Sequence, residues 1–154
     1  MSILRYLRRR ISKKYAHRFI QDVDYIEIDH LVYKYKMIRD RSIHTEIKGY
    51  RITTNYFTLY EDGRLIIFAG YAWDGPSGPT LDTPAFMRSS CAHDVFFQIL
   101  RESLIPDFDR LLVFSTANQE LKRISKIDGM LCPFYHIIKI AVDFMGKKYA
   151  RKKA

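Results

Sequence analysis

The chain has 154 residues, 47% apolar and 14% aromatic, which suits one domain with one core and excludes a disordered chain. Its net charge of +9 sits at the ends: residues 1–21 hold seven Lys and Arg, residues 147–154 hold five, and neither end holds an acid. Residues 22–146 keep fourteen bases against all seventeen acids, a net of −3, which is not the profile of a domain that binds nucleic acid through its folded face.

Residues 3–20 place Ile3, Leu4, Leu7, Ile11, Tyr15 and Phe19 at helical spacing with cations between them. This predicts a basic amphipathic helix over residues 1–21. Two uses fit it: packing on the domain with a solvated basic face, or docking on phosphate, an anionic membrane surface or an acidic partner. Arg5, Arg8, Arg9 and Arg10 interrupt the apolar core that a secretory signal needs. No window approaches the roughly 18 consecutive apolar residues of a membrane-spanning helix.

From residue 22 to 73 the period changes to two. DYIEID, VYKYKMI, IHTEI, YRITTNYFTLY and RLIIFAGYAW read as strands rich in β-branched and aromatic residues. Asp62-Gly63 is expected to supply the positive φ angles of a tight hairpin turn. Short connections predict an antiparallel meander.

Helices follow over 83–146. Thr83 is placed to cap the first and Pro84 to occupy its first turn, and that helix runs to about Arg101. A second spans about 107–127 and ends at Asp128-Gly129, where Gly129 can adopt the left-handed conformation. Pro133 opens a third with an apolar face that includes Phe134, Ile137 and Phe144, and 147–154 form a basic tail. Cys91 and Cys132 fall in predicted helices without CxxC spacing, as free buried thiols of a reducing compartment do. The expected class is α+β: an N-terminal basic amphipathic helix, an antiparallel β-meander, then three helices packed on the sheet, with 22–146 a single domain.

One stretch, YAWDGPSGPTLDTPAFMRSSCAHDVFFQ (71–98), holds the only Trp, three of the five Pro and the His93-Asp94 doublet. On a helical wheel His93 falls among Phe86, Ser89, Ser90, Phe96, Phe97 and Leu100, so it is expected to be buried. Asp94 lies at the edge of that face beside Ser90 and Arg101. A core His bonded to Asp74 or a loop backbone, with Asp94 tied to Arg101 or a cap, would satisfy these groups without any chemistry. The loop before the helix points to function: its glycines and prolines stiffen a turn that presents Asp74, Ser77 and Thr80 toward His93. Cys91 and His93 diverge by about 200° on one helix and cannot form a thiol–imidazole dyad within it. The doublet also lacks the further His and Asp on other helices that helical His-Asp phosphohydrolases require. No phosphate-cradling loop, HExxH or dinucleotide fingerprint is present.

The run WDGPSGPTLDTPAFMRSSCAHDVFFQILRE resembles the centre of a family found mainly in bacteriophages and prophages and catalogued as a domain of unknown function. Its pattern is a (W/F)DG-x-S-x-P-like loop, an HD-x-x-(Y/F) helix, an Ala-Asp on the next helix, an Asp-Gly-Met and a closing helix ending near Phe-Gly. His93-Asp94 with Phe96 and Phe97, Asp128-Gly129-Met130 and Phe144-Met145-Gly146 fit it, over about residues 50–150. The Ala-Asp stands here as Ala117-Asn118, which replaces an acid by a weaker neutral oxygen.

The resemblance implies a phage-encoded accessory protein acting in the host cytoplasm during assembly, or in the virion. Two functions are expected from it and from the residues. In the first, Asp74, Ser77, His93, Asp94 and Asn118 line a cleft for metal-assisted hydrolysis of an amide or ester, such as one in the host envelope. Asp74 and His93 would hold a divalent metal, weakly given Asn118, or activate water; Asp94 would orient His93, and Ser77 would donate to substrate. In the second, the chain is a non-enzymatic virion or assembly component. The same residues then brace loop to helix, while 1–21 and 147–154 dock on viral structural proteins, DNA or anionic membrane.

Overall fold

The computed structural model describes residues 25–30, 32–75 and 83–130. The predicted basic helix, the third helix and the basic tail lie outside the described residues, as do Ser77, Thr80 and Cys132. What is described is α+β, with antiparallel strands in two sheets followed by two helices.

The five predicted strand segments form seven short strands. They are β1 (Tyr25–Glu27), β2 (Tyr35–Met37), β3 (Arg41–His44), β4 (Ile52–Thr53), β5 (Phe57–Leu59), β6 (Arg64–Ile67) and β7 (Ala72–Trp73). One sheet has the order β1-β2-β7 and the other β3-β6-β5-β4. All pairings are antiparallel, with Ile43 opposite Leu65 and Tyr35 opposite Trp73 fixing the registers that matter for the core.

Side-chain competition for the backbone explains why YRITTNYFTLY breaks in two. Thr54 Oγ1 accepts from the N–H groups of Tyr56 and Phe57 (3.1 and 3.0 Å), closing a turn between β4 and β5. RLIIFAGYAW breaks at Gly70, which has a φ of 94° and donates its N–H to Met37 O at 2.8 Å. That break lets the chain leave the β6 ladder and join β2 in the other sheet. It also delivers Trp73 and Asp74 to the junction with the helices.

The β5–β6 hairpin corrects one expectation. Only Gly63 takes a positive φ, 87°, while Asp62 instead accepts the Arg64 N–H on its carboxylate at 2.9 Å. Gly63 N donates to Tyr60 O and Tyr60 N to Arg64 O, both at 2.9 Å, so the loop is a three-residue turn with a glycine bulge.

The helices are α1 (Pro84–Arg101) and α2 (Arg110–Ile127), with a 3-10 turn (Asp107–Asp109) opening the second. Thr83 precedes α1 as expected, but its side chain makes no capping bond. Gly129 has the left-handed φ, 86°, that ends α2. Among the described residues no helix is long and apolar enough to cross a membrane.

The core lies between the sheets and α1. Phe57, Leu59, Leu65 and Ile67 from the sheet, with Val95 and Ile99 from α1, are fully buried in one cluster, each worth about 1.5–3 kcal/mol. None of residues 85–100 is exposed, so α1 is a central helix enclosed on all sides rather than one with a single apolar face.

A Cβ on Gly63 would stand 2.1 Å from the Thr45 carbonyl oxygen, in a backbone conformation that side chains resist. Gly63→Ala is therefore expected to lower stability by roughly 1–3 kcal/mol. Urea unfolding of both proteins measures this.

Candidate functional site

The enclosure of α1 determines the chemistry of its polar residues. Each must find a partner inside the protein or lose its hydration uncompensated. Toward the sheet, Trp73 Nε1 donates to Ser90 Oγ at 3.4 Å, and Ser90 Oγ donates back to Met87 O at 3.0 Å. Toward α2 there are three polar links. His93 Nε2 donates to Asn118 Oδ1 at 2.9 Å, and Ser89 and Ser125 share a hydrogen bond between hydroxyls 2.7 Å apart. The Arg88 guanidinium grips the Asp128 carboxylate with Nε and Nη2, at 3.0 and 2.6 Å.

His93 is buried as its wheel position requires, and its ring lies 4.3 Å from that of Phe97. Asn118 is wholly buried. The pairing joins two residues that the sequence singles out separately, the doublet's His93 and Asn118. With Asn118 Oδ1 accepting, the ring holds its proton on Nε2.

Asp94, one residue further and about 100° around the helix, faces another way. Its carboxyl hydrogen-bonds to that of Asp74. The end of β7 brings Asp74 to α1, where it acts on the doublet's Asp94. Two ionised carboxylates can only accept, so this bond exists only while at least one of them carries a proton. Asp94 is held well above the usual carboxylate range, first by burial and then by the charge and hydrogen bond of Asp74, with Arg101 opposing.

Two neighbouring groups are shifted in the same direction. The Tyr71 phenol is pushed well up, first by burial and then by Asp94, and the Cys91 thiol likewise. Cys91 is a buried free thiol, as expected, and its neutral form is inert. Of the five candidate residues, four lie in the described structure and form two pairs, Asp74–Asp94 and His93–Asn118, on successive residues of α1. Among the described residues no group of three or more His, Cys, Asp or Glu converges as a metal ion would require.

Tyr71 and the Arg88–Asp128 pair escaped the sequence reading. The last was signalled: an arginine in an otherwise buried helix needs an acid, and Asp128 stands at the C-terminus of α2, where the helix dipole disfavours it without a cation. No family model, curated protein or solved structure matches this chain.

Two outcomes are expected. His93→Ala leaves a cavity beside Phe97 and strands the Asn118 amide, and should cost roughly 2–4 kcal/mol in chemical denaturation. The second concerns pH. An acid whose pKa is raised by folding contributes its full stability below its ordinary value, here 3.8, and loses it as pH rises through the folded value. Asp94→Asn cannot ionise, so its Tm should gain on the parent's as pH climbs from about 4 to about 8. Parallel melting curves across that range would show that Asp94 titrates normally.

Proposed function

We propose that Asp74 and Asp94 form an acid–base site that hydrolyses an amide or ester, in a phage-encoded accessory protein. The observation that carries this reading is the bond between their carboxyls. A loop held to a helix for stability alone is better joined by an amide or a hydroxyl, which needs no proton and sets no negative charges side by side. A carboxyl pair that shares one proton holds an acid and a base at one place, which is what addition of water to a carbonyl requires.

The step runs as follows. The ionised carboxylate takes a proton from water as its oxygen bonds to the carbonyl carbon, and the protonated partner donates to the carbonyl oxygen. On collapse of the tetrahedral adduct one of its hydroxyls returns a proton to the partner carboxylate as the C=O re-forms, the C–N or C–O bond breaks, and the proton taken from water passes to the leaving group. Arg101, at the exposed end of α1 and close enough to favour Asp94 ionisation, supplies positive charge near the developing oxyanion. His93, bonded to Asn118, positions this turn of α1 rather than touching the substrate. The step is written with Asp74 and Asp94 alone, since Asp94 is joined to Asp74 and His93 to Asn118.

A second reading, a non-enzymatic assembly component, is favoured by the other polar links. His93–Asn118, Ser89–Ser125 and Arg88–Asp128 all tie α1 to α2 and need no substrate to explain them.

Peptide amides, peptidoglycan-derived amides and acyl esters, assayed with and without EDTA, separate the two. The first reading expects turnover that survives EDTA and falls by roughly 10²–10⁴-fold in Asp74→Asn and in Asp94→Asn while both variants stay folded. Absence of turnover on all three classes, or turnover untouched by either substitution, would leave the assembly reading standing.

A further inference from the structure

The ladders of the four-stranded sheet set its side chains in rows. Ile43, Leu65, Leu59 and Ile52 stand opposite one another on β3, β6, β5 and β4, and all four are buried in the core. One residue further along each strand, the pleat points side chains the other way. That next row reads His44, Arg64, Tyr60 and Arg51. His44 is paired with Arg64, Tyr60 N donates to Arg64 O at 2.9 Å, and Arg51 and Tyr60 stand one step beyond the Ile52–Leu59 pair. The row crosses the sheet on the face away from the core, with a tyrosine between two arginines.

Tyr60 gathers the two guanidiniums. Arg64 Cζ lies 4.2 Å from its ring centroid and Arg51 Cζ 5.7 Å. A guanidinium set over an aromatic ring is held by its flat side and keeps its N–H edge for an acceptor. Among the described residues the ion pairs are Lys48–Glu46, Arg88–Asp128 and Arg123–Glu120, and neither Arg51 nor Arg64 takes part in one. Two nearby carboxylates are used elsewhere. Glu46 accepts from Lys48 Nζ at 2.7 Å, and Asp62 accepts the backbone N–H of Arg64, not its guanidinium. Two like charges drawn to one ring repel each other, and stacking on the ring leaves that repulsion in place.

An anion that accepts from both arginines removes it. A carboxylate offers two oxygens, which a single guanidinium fork satisfies, whereas a phosphate monoester offers three oxygens and up to two charges. We propose that Arg51 and Arg64, gathered on Tyr60, bind the phosphate group of a small phosphomonoester. His44, in the same row, adds a ring N–H donor at its end. Residues 1–21 and 147–154 hold no acid, so the basic ends of the chain cannot supply the anion themselves. The site shares no residue with the acid pair, so its failure and that of the hydrolytic reading are independent.

Heteronuclear NMR of the full-length chain tests this through the side-chain Nε–Hε signals of Arg51 and Arg64, assigned through bonds. Those signals report the row alone and not the cations of the two ends. At fixed ionic strength, inorganic phosphate and phenyl phosphate should each move both signals along one saturation curve. Benzoate should bind about tenfold or more weakly. Arg64→Lys and Arg51→Lys keep the charge but lose the fork, and each should weaken phosphate binding about tenfold with the melting temperature unchanged. If a variant fails to fold, the parent's two signals decide the question by themselves. Signals that phosphate leaves in place overturn the proposal, as does benzoate binding equal to that of phenyl phosphate, or a folded lysine variant that binds like the parent. A response to a single-stranded oligonucleotide without one to either phosphate also overturns it.

Discussion

The rest of the structure depends on the burial of α1 from every side. A helix at the surface can leave its polar residues to water, whereas one enclosed between two sheets and a second helix cannot. Arg88, Ser89, Ser90, His93 and Asp94 lie within two turns, and each is answered by a group on another element: Asp128, Ser125, Trp73, Asn118 and Asp74. These bonds do more than avoid a penalty. An apolar interface tolerates small slides and rotations, but a set of directional bonds at fixed spacing allows one register between α1 and α2.

Within that set the Asp74–Asp94 pair is chemically different. The other links are neutral hydrogen bonds or a cation with an anion, and they persist across ordinary pH. The carboxyl pair depends on a proton, and burial makes the loss of that proton costly. The same enclosure that rigidifies the fold thereby holds the Asp94 carboxyl well above its ordinary value. His93, the residue with the most familiar catalytic chemistry, is directed by Asn118 toward the helix interface.

Much of this was legible in the chain. The turn from period two to helical spacing near residue 80 separated sheet from helices, and both α1 and the end of α2 at Gly129 fell where Pro84, Arg101 and the glycine put them. The strands were less legible. Hydrophobic alternation runs straight through Thr54 and Gly70, and neither break shows in it. One is made by a hydroxyl capturing two backbone N–H groups, the other by a glycine turning the chain toward a strand more than thirty residues earlier.

The candidate site divides along the same line. Composition and wheel position determined that residues 71–98 are unusual and that His93 is buried. Those are local properties, set by residue type and spacing. Which groups pair was decided by the tertiary structure alone. His93 and Asp94 are neighbours in sequence, but 100° of helical rotation points one at α2 and the other at the loop. The identity of their partners rests on where β7 ends and how α2 is set against α1. A single sequence carries each residue's need for a partner, and only the packed chain supplies the distance that meets it.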